Sequence, residues 1–283
     1  MRKLLKYDLK SLFPMWGISS LALLAFFVIG AVSLRGYNAY YKNLFKPGVL
    51  AEICNTLCSL GIMLTIVAFG VYALLNLFFT LQRFYTHFYT DQGYLTFTLP
   101  VKRTDLLTSK VMAGFLCLGA SGLFMLLGIA VIALFGGDPK QPINMELIRS
   151  FQQFFVEGWK QIGGWLIVYV VQAILLLMVS MLYALLFSYS CITLGAILAK
   201  KHKILAAIGI YYASNMTLST LTQLSILPLF STTLITRFSE MTLSSICGAV
   251  SLILALVIVT EMTTTWLLYY LNIRLLHKNL NLA

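Results

Sequence analysis

Glu261, in the run VIVTEMTTTW, is the one acid set well inside a stretch apolar enough to cross a bilayer. A lone carboxylate in hydrocarbon is costly, so it must face a cavity, a partner residue or the interior of a helix bundle. There it would contact a cationic substrate, couple movements of the last helix or carry a proton. It would equally serve as a packing carboxylate, hydrogen-bonded to the neighbouring Thr260, Thr263, Thr264 or Thr265. Asn215, Gln223 and Pro228, in a Ser/Thr-rich region upstream, are the other residues that would line a path or form a gate. No G-x-x-x-x-G-K-[S/T], H-E-x-x-H or G-x-S-x-G run occurs, so the usual phosphate cradle, zinc site and nucleophile elbow are missing. His87, His202 and His277 are far apart in sequence. The five cysteines (Cys54, Cys58, Cys117, Cys191, Cys247) fall in or beside apolar segments with no ligand-like clustering. They read as small buried hydrophobes rather than as disulfides or a metal site. No catalytic, cofactor-binding or metal-binding residue is expected in this chain.

The denser signal is Leu81–Lys110, LQRFYTHFYTDQGYLTFTLPVKRTDLLTSK, between two long apolar runs. Arg83 to Tyr89 alternates basic and aromatic groups, Asp91-Gln92-Gly93 is a turn-like break, and Pro100 ends a partly β-branched apolar piece before Lys102 and Arg103. A short rigid element here, crosswise to the bundle and set into a groove of another protein, would transmit force between subunits. Tyr and Phe anchoring a loop at a membrane surface would give a partly similar pattern, but explains less well so many charges and rings between two overlong spans.

The elements that must position these groups follow from composition. Of 283 residues 60% are hydrophobic and 10% charged, with mean hydropathy +0.89; a soluble domain carries about 25% charged residues. The expected fold is an all-α polytopic membrane protein in a single transmembrane domain over 1–283. Six spans are expected, near 15–34, 53–80, 106–135, 162–189, 204–224 and 243–271, each near the 17–25 residues a hydrocarbon core requires or longer. Met1–Pro14 combines Leu4, Leu5, Leu9, Leu12 and Phe13 with Arg2, Lys3, Lys6 and Lys10, which predicts an interfacial elbow helix ended by Pro14 rather than a cleaved leader. Gly114, Gly119, Gly122 and Gly128 in the third span predict a tightly packed interface. The outer loop 136–160 repeats Ile143, Leu147, Ile148, Phe151, Phe154 and Phe155 at helical spacing, which predicts a short surface helix over 143–157, with a structural cap its simplest role. The fifth span is expected to end near Leu224, ahead of a broken or re-entrant piece around Pro228.

The net charge of +11 invites a nucleic-acid partner, but the basic residues sit at the ends of apolar runs rather than along one face, so none is expected. That distribution belongs to topology. With both termini inside, thirteen of the twenty Lys and Arg residues lie in inner segments, including Lys200, Lys201 and Lys203 around His202 in a tight second turn. The expectation is a multi-pass protein of the cell membrane with cytoplasmic N- and C-termini and a cytoplasmic 81–105 segment.

Tyr89–Lys110 resembles the first cytoplasmic loop of bacterial ABC-2-type exporter permeases. The N-terminal RKLLKYDLK and the tail YLNIRLLHKNLNL (Tyr270–Leu282) are similar to the ends of the same family, while between them only the pattern of spans agrees. The resemblance implies a type V exporter-like subunit that dimerises with a second copy or a homologous permease and docks on two ATP-binding subunits. ATP and Mg would be bound by that partner and none by this chain. It also implies that Met1–Pro14 is the elbow helix and that Tyr85, His87, Phe88, Asp91, Tyr94, Phe97 and Leu99 fall in the ATPase-coupling region. Lys200–Lys203 would be the second cytoplasmic turn, and Leu224–Phe230 the broken segment. Such permeases export lipids, glycans, drugs or antimicrobial peptides. Two other readings stand beside it: an ion-coupled secondary transporter, which would need discontinuous helices with ligands near midplane, and a non-transporting membrane scaffold or sensor.

Overall fold

A computed structural model of the chain describes residues 2–42, 48–90, 93, 101–199, 202–226 and 242–278. Among them there are seven helices and no strand. They are α1 (Arg2–Tyr41), α2 (Val49–Tyr89), α3 (Arg103–Phe135), α4 (Met145–Ile162), α5 (Trp165–Leu198), α6 (Lys203–Ile226) and α7 (Leu243–Lys278). Five of these, α1, α2, α3, α5 and α7, are long and apolar enough to cross a membrane. The chain is therefore a helical, multi-pass membrane protein. Its fold class follows from the need to satisfy every backbone N–H and C=O within hydrocarbon. α6 is not one of the five; Ser214, Asn215, Thr217, Ser219 and Thr220 dilute its second half.

Helix ends differ from the sequence expectations in ways that have local causes. No break occurs at Pro14, which lies inside α1. A proline forfeits one hydrogen bond to the preceding turn, and apolar helices tolerate this where neighbours compensate. The elbow is therefore not a separate helix ending at Pro14. Likewise, both ends of the expected 81–105 connection are helical: α2 runs through Tyr89 and α3 begins at Arg103, with Asp105 in the first turn of α3, where its charge favours the helix dipole. α4 begins and ends a few residues later than the expected 143–157, and Asn144 caps it, its side-chain oxygen accepting from the Leu147 N–H at 3.2 Å.

The chain folds as two compact units. One comprises Arg2–Arg83 and Met112–Glu157. Its core is Leu23, Phe27 and Tyr72, flanked by Phe69, Phe124 and Ile132, with the Phe27 ring 5.3 Å from Phe124 and 5.6 Å from Phe69. Gly128 makes room for Phe27, since a Cβ there would lie 2.1 Å from that ring. Gly119 and Gly122, by contrast, have nothing within 4 Å of where a Cβ would sit, so the packed interface expected for these glycines is realised at Gly128 but not at those two. Polar groups pair within the unit, as lipid demands: Trp16 Nε1 donates to Ser121 Oγ at 3.1 Å, and the Ser20 and Tyr72 hydroxyls are 2.9 Å apart. At the other end of α1, Arg35 donates to the carbonyls of Pro139 and Gln141, Asn38 to that of Gly136, and Lys42 to Asp138 at 2.7 Å. Four side-chain contacts thus hold the start of the loop after α3 against α1.

The other unit comprises Phe84–Val111 and Gly158–Ala283. In it α5 packs against both α6 and α7. Gly195 of α5 meets the backbone of Ala207 of α6 so closely that a Cβ would fall 2.5 Å from its nitrogen. Tyr169 and Gln172 of α5 donate to the backbone carbonyls of Cys247 and Ser251 of α7, each at 2.9 Å.

Candidate functional site at the ends of α2 and α3

The last turns of α2 and the first turns of α3 flank residues 90–102, the middle of the sequence-predicted coupling segment. Four residues apart on one helical face, Phe84 and Phe88 of α2 have ring centroids 4.9 Å apart. The Phe84 ring stacks on Tyr189 of α5 at 3.9 Å with the planes 8° apart. Phe84 is 0% exposed, Phe88 1% and Tyr189 1%. Truncating so large a buried ring typically costs about 3–5 kcal/mol, so this stack fixes the end of α2 on α5.

α3 is held just as firmly. Arg103 Nη1 donates to the Leu276 carbonyl at 2.8 Å. That carbonyl lies in the last turn of α7, where helix geometry leaves acceptors without an intrahelical donor. One turn further along α3, the Thr108 and Tyr269 hydroxyls are 2.9 Å apart, and Leu107 is fully buried between these contacts. Asn272, one turn before Leu276, is itself fully buried. Its amide donates to Ser190 Oγ at 2.8 Å and to the Leu268 carbonyl at 2.9 Å, with Leu186 O at 3.3 Å. The unit therefore ties α2 to α5, α5 to α7 and α7 to α3 around the two points where the 90–102 connection leaves.

Several sequence-predicted site residues lie in this region. Tyr85 and His87 are half-buried on the last turns of α2, and Phe88 is buried inside the unit rather than presented at a surface. Gly93 donates to the Thr90 carbonyl at 2.7 Å, and a Cβ there would approach the Phe88 carbonyl oxygen to 2.9 Å. A residue without a side chain is what this close approach requires; Asp91 and Gln92, the rest of the expected turn, are not among the described residues. Asp91, Tyr94, Phe97 and Leu99 lie outside the described residues, as do Lys200, Lys201 and Pro228. Of the second turn, His202 is exposed and its backbone carbonyl accepts from the Ala206 N–H at 3.0 Å as α6 begins, with Lys203 half-buried beside it.

Of the residues expected in a path, Asn215, Gln223 and Glu261 are among the described residues, and no hydrogen bond joins any two of them. Asn215 and Gln223 are exposed on α6, and Glu261 is half-buried on α7. Among the described residues the buried Oε2 of Glu261 accepts no hydrogen bond. The neighbouring threonines expected to satisfy that carboxylate bond backbone carbonyls instead: Thr260 bonds Val257 O, Thr263 bonds Thr260 O, and Thr265 bonds the carbonyl of Glu261 itself at 2.6 Å. A helical threonine reaches the carbonyl three or four residues back more readily than it reaches a side chain.

Sequence reading missed Tyr189, Ser190 and Asn272 as partners of this region, and named Arg103 in it without its partner Leu276. Asn272 was the detectable one, an amide near the C-terminal end of an apolar run, where a buried hydrogen bond is the ordinary requirement. Among the described residues no group of His, Cys, Asp and Glu is placed to hold a metal ion. Comparison of the chain with protein-family models, with curated proteins and with solved structures gave no match in any of the three.

Proposed function

We propose that this chain is the permease subunit of an ATP-driven exporter, its path serving a lipid, drug or antimicrobial peptide. The observation that carries the reading is the pair of clamps at the ends of α2 and α3. A partner that displaces residues 90–102 would load the Phe84–Tyr189 stack and the Arg103–Leu276 bond, and so move α5 and α7. The similarity of Tyr89–Lys110 to the first cytoplasmic loop of ABC-2-type permeases gives that partner its chemistry: a pair of ATP-binding subunits that hold ATP and Mg and carry out the hydrolysis.

On this reading α6 is the fifth of six spans. Both termini are cytoplasmic in the cell membrane, and the basic first turns of α1 (Arg2, Lys3, Lys6, Lys10) rest on the inner leaflet. A second copy or a homologous permease completes the path. Ion-coupled transport is the second reading, favoured by one observation, the unsatisfied buried oxygen of Glu261.

The test is co-purification of the chain, expressed from its native operon in mild detergent, with ATPase activity measured before and after Tyr94→Ala and Phe97→Ala. The expected result is a co-eluting ATPase whose retention or activity falls in the variants. No retained ATPase in detergent or nanodisc, and none encoded nearby, would overturn the exporter reading.

A further inference from the structure

α4 is the most amphipathic of the described helices, and no residue of it is buried. At 100° per residue, Leu147, Ile148, Phe151, Phe154, Phe155 and Trp159 fall on one face, and Glu146, Arg149, Gln153, Glu157 and Lys160 on the other. Phe151 is 62% exposed and Phe154 69%. In water such a continuous apolar face would be an association site.

Chain connectivity fixes where this helix lies. Its start is pinned to the end of an apolar span: the Asn144 N–H donates to the Leu134 carbonyl in the last turn of α3 at 2.8 Å. Its end is separated from α5 by Gly163 and Gly164 alone. Gly163 has φ 59° and donates to the Trp159 carbonyl at 2.9 Å, a left-handed helix stop that glycine adopts at no steric cost. α5 is apolar from its first residue, Trp165-Leu166-Ile167-Val168, and two residues of chain reach at most about 7 Å. Both ends of α4 are thus held at the boundary between hydrocarbon and headgroups.

We propose that α4 is an interfacial helix whose aromatic face is occupied by lipid, seated in the upper acyl and glycerol zone of the leaflet. The charges on the helix identify the kind of lipid. Arg149 and Lys160 are matched by Glu146 and Glu157, so no net charge draws α4 to an anionic surface or to a charged protein. Attachment is by apolar burial, with Trp159 at the headgroup level as interfacial tryptophans prefer. The helix therefore binds zwitterionic and anionic membranes alike, unlike the basic N-terminal turns of α1. The inference depends on the membrane spans and not on the exporter reading.

The test uses the full chain in phosphatidylcholine vesicles, with the native cysteines replaced and a fluorophore placed singly at 151, 155, 149 or 153. Shallow dibrominated phosphatidylcholine should quench the label at 151 and 155 several-fold more than at 149 and 153, with aqueous iodide giving the reverse order. Substituting anionic lipid for a third of the phosphatidylcholine should change neither. Should the cysteine-free chain misfold, Trp159 serves as the probe in a chain carrying Trp16→Phe, Trp165→Phe and Trp266→Phe with its cysteines intact, and should be quenched by the same lipid. Equal iodide quenching on both faces would place α4 in water and overturn the proposal. Shielding of 151 and 155 from both iodide and brominated lipid would overturn it in favour of a protein occupant.

Discussion

Two polar side chains of α7, the buried Asn272 and the half-buried Glu261, each keep a buried oxygen without a hydrogen bond among the described residues. Asn272 has its amide donors engaged, and in an apolar setting such bonds contribute about 1 kcal/mol each. Glu261 is the ionisable member of the pair, and leaving its oxygen without a hydrogen bond is costlier for a carboxylate than for the amide Oδ1 of Asn272. If the chain transports a substrate as proposed, Glu261→Gln is expected to preserve expression and assembly and to lower substrate-stimulated transport. Unchanged transport in reconstituted vesicles would remove Glu261 from the mechanism. The Phe84 ring carries a different expectation. Phe84→Ala should reduce stability in detergent by about 3 kcal/mol or more, from the cavity it leaves against Tyr189. Phe78→Ala, at a side chain that is largely exposed, should cost about 0.5 kcal/mol or less, as surface changes do. Chemical unfolding of the two variants compares them directly.

Among the elements, α1 and the loop after α3 form a tether whose strength depends on pH. The Lys42 ammonium, with help from the Lys140 N–H, holds the Asp138 carboxyl below its ordinary 3.8, and Asp138 holds Lys42 above its ordinary 10.5. Because the Asp138 value is depressed in the folded chain, its contribution is complete above pH 3.8 and is lost as pH falls through the folded value. Because the Lys42 value is raised, its contribution is complete below pH 10.5 and is lost as pH rises further. Both groups face solvent, so the effect is small. Asp138→Asn should lower the thermal midpoint slightly at pH 7, by an amount that shrinks as pH falls below 3.8 and the wild-type carboxyl takes up its proton. A difference that stays the same across that fall would show that the side chain acts through something other than its charge.

The whole molecule bears on how force would cross between elements. If a partner acts on residues 90–102, the bonds at Arg103 and Thr108 carry its displacement to α7, whereas contact with the partner is made elsewhere. Arg103→Ala combined with Thr108→Val is then expected to leave a co-purifying ATPase bound while lowering ATP-driven transport about tenfold, the loss that removing one or two charge-assisted and neutral hydrogen bonds from a coupling step implies. Equal losses of binding and transport would locate the docking surface at α3 itself. Unchanged transport would mean that α7 is not driven through α3.

Hydropathy and charge settled the class of this protein, because a bilayer leaves a chain this apolar few options besides long helices with satisfied backbones. The amphipathic period of 143–157 and the polar interruption of Leu81–Lys110 were legible for the same reason. Helix ends were less so. Pro14 reads as a stop although α1 continues through it, and Arg83–Tyr89 reads as a loop although Phe84 and Phe88 pack as the end of α2. At Pro14, which is exposed, the helix forfeits one backbone bond and continues; at the end of α2 local propensity is outweighed by burial against α5, which no short window contains. The same holds for the site. Arg103 and Leu276 are 173 residues apart, and Asn272 and Ser190 are 82 apart. Sequence could supply each group and its need for a partner, but only the packing of α5 and α7 decided which partner it found, because pairing depends on distances that side-chain chemistry alone does not encode.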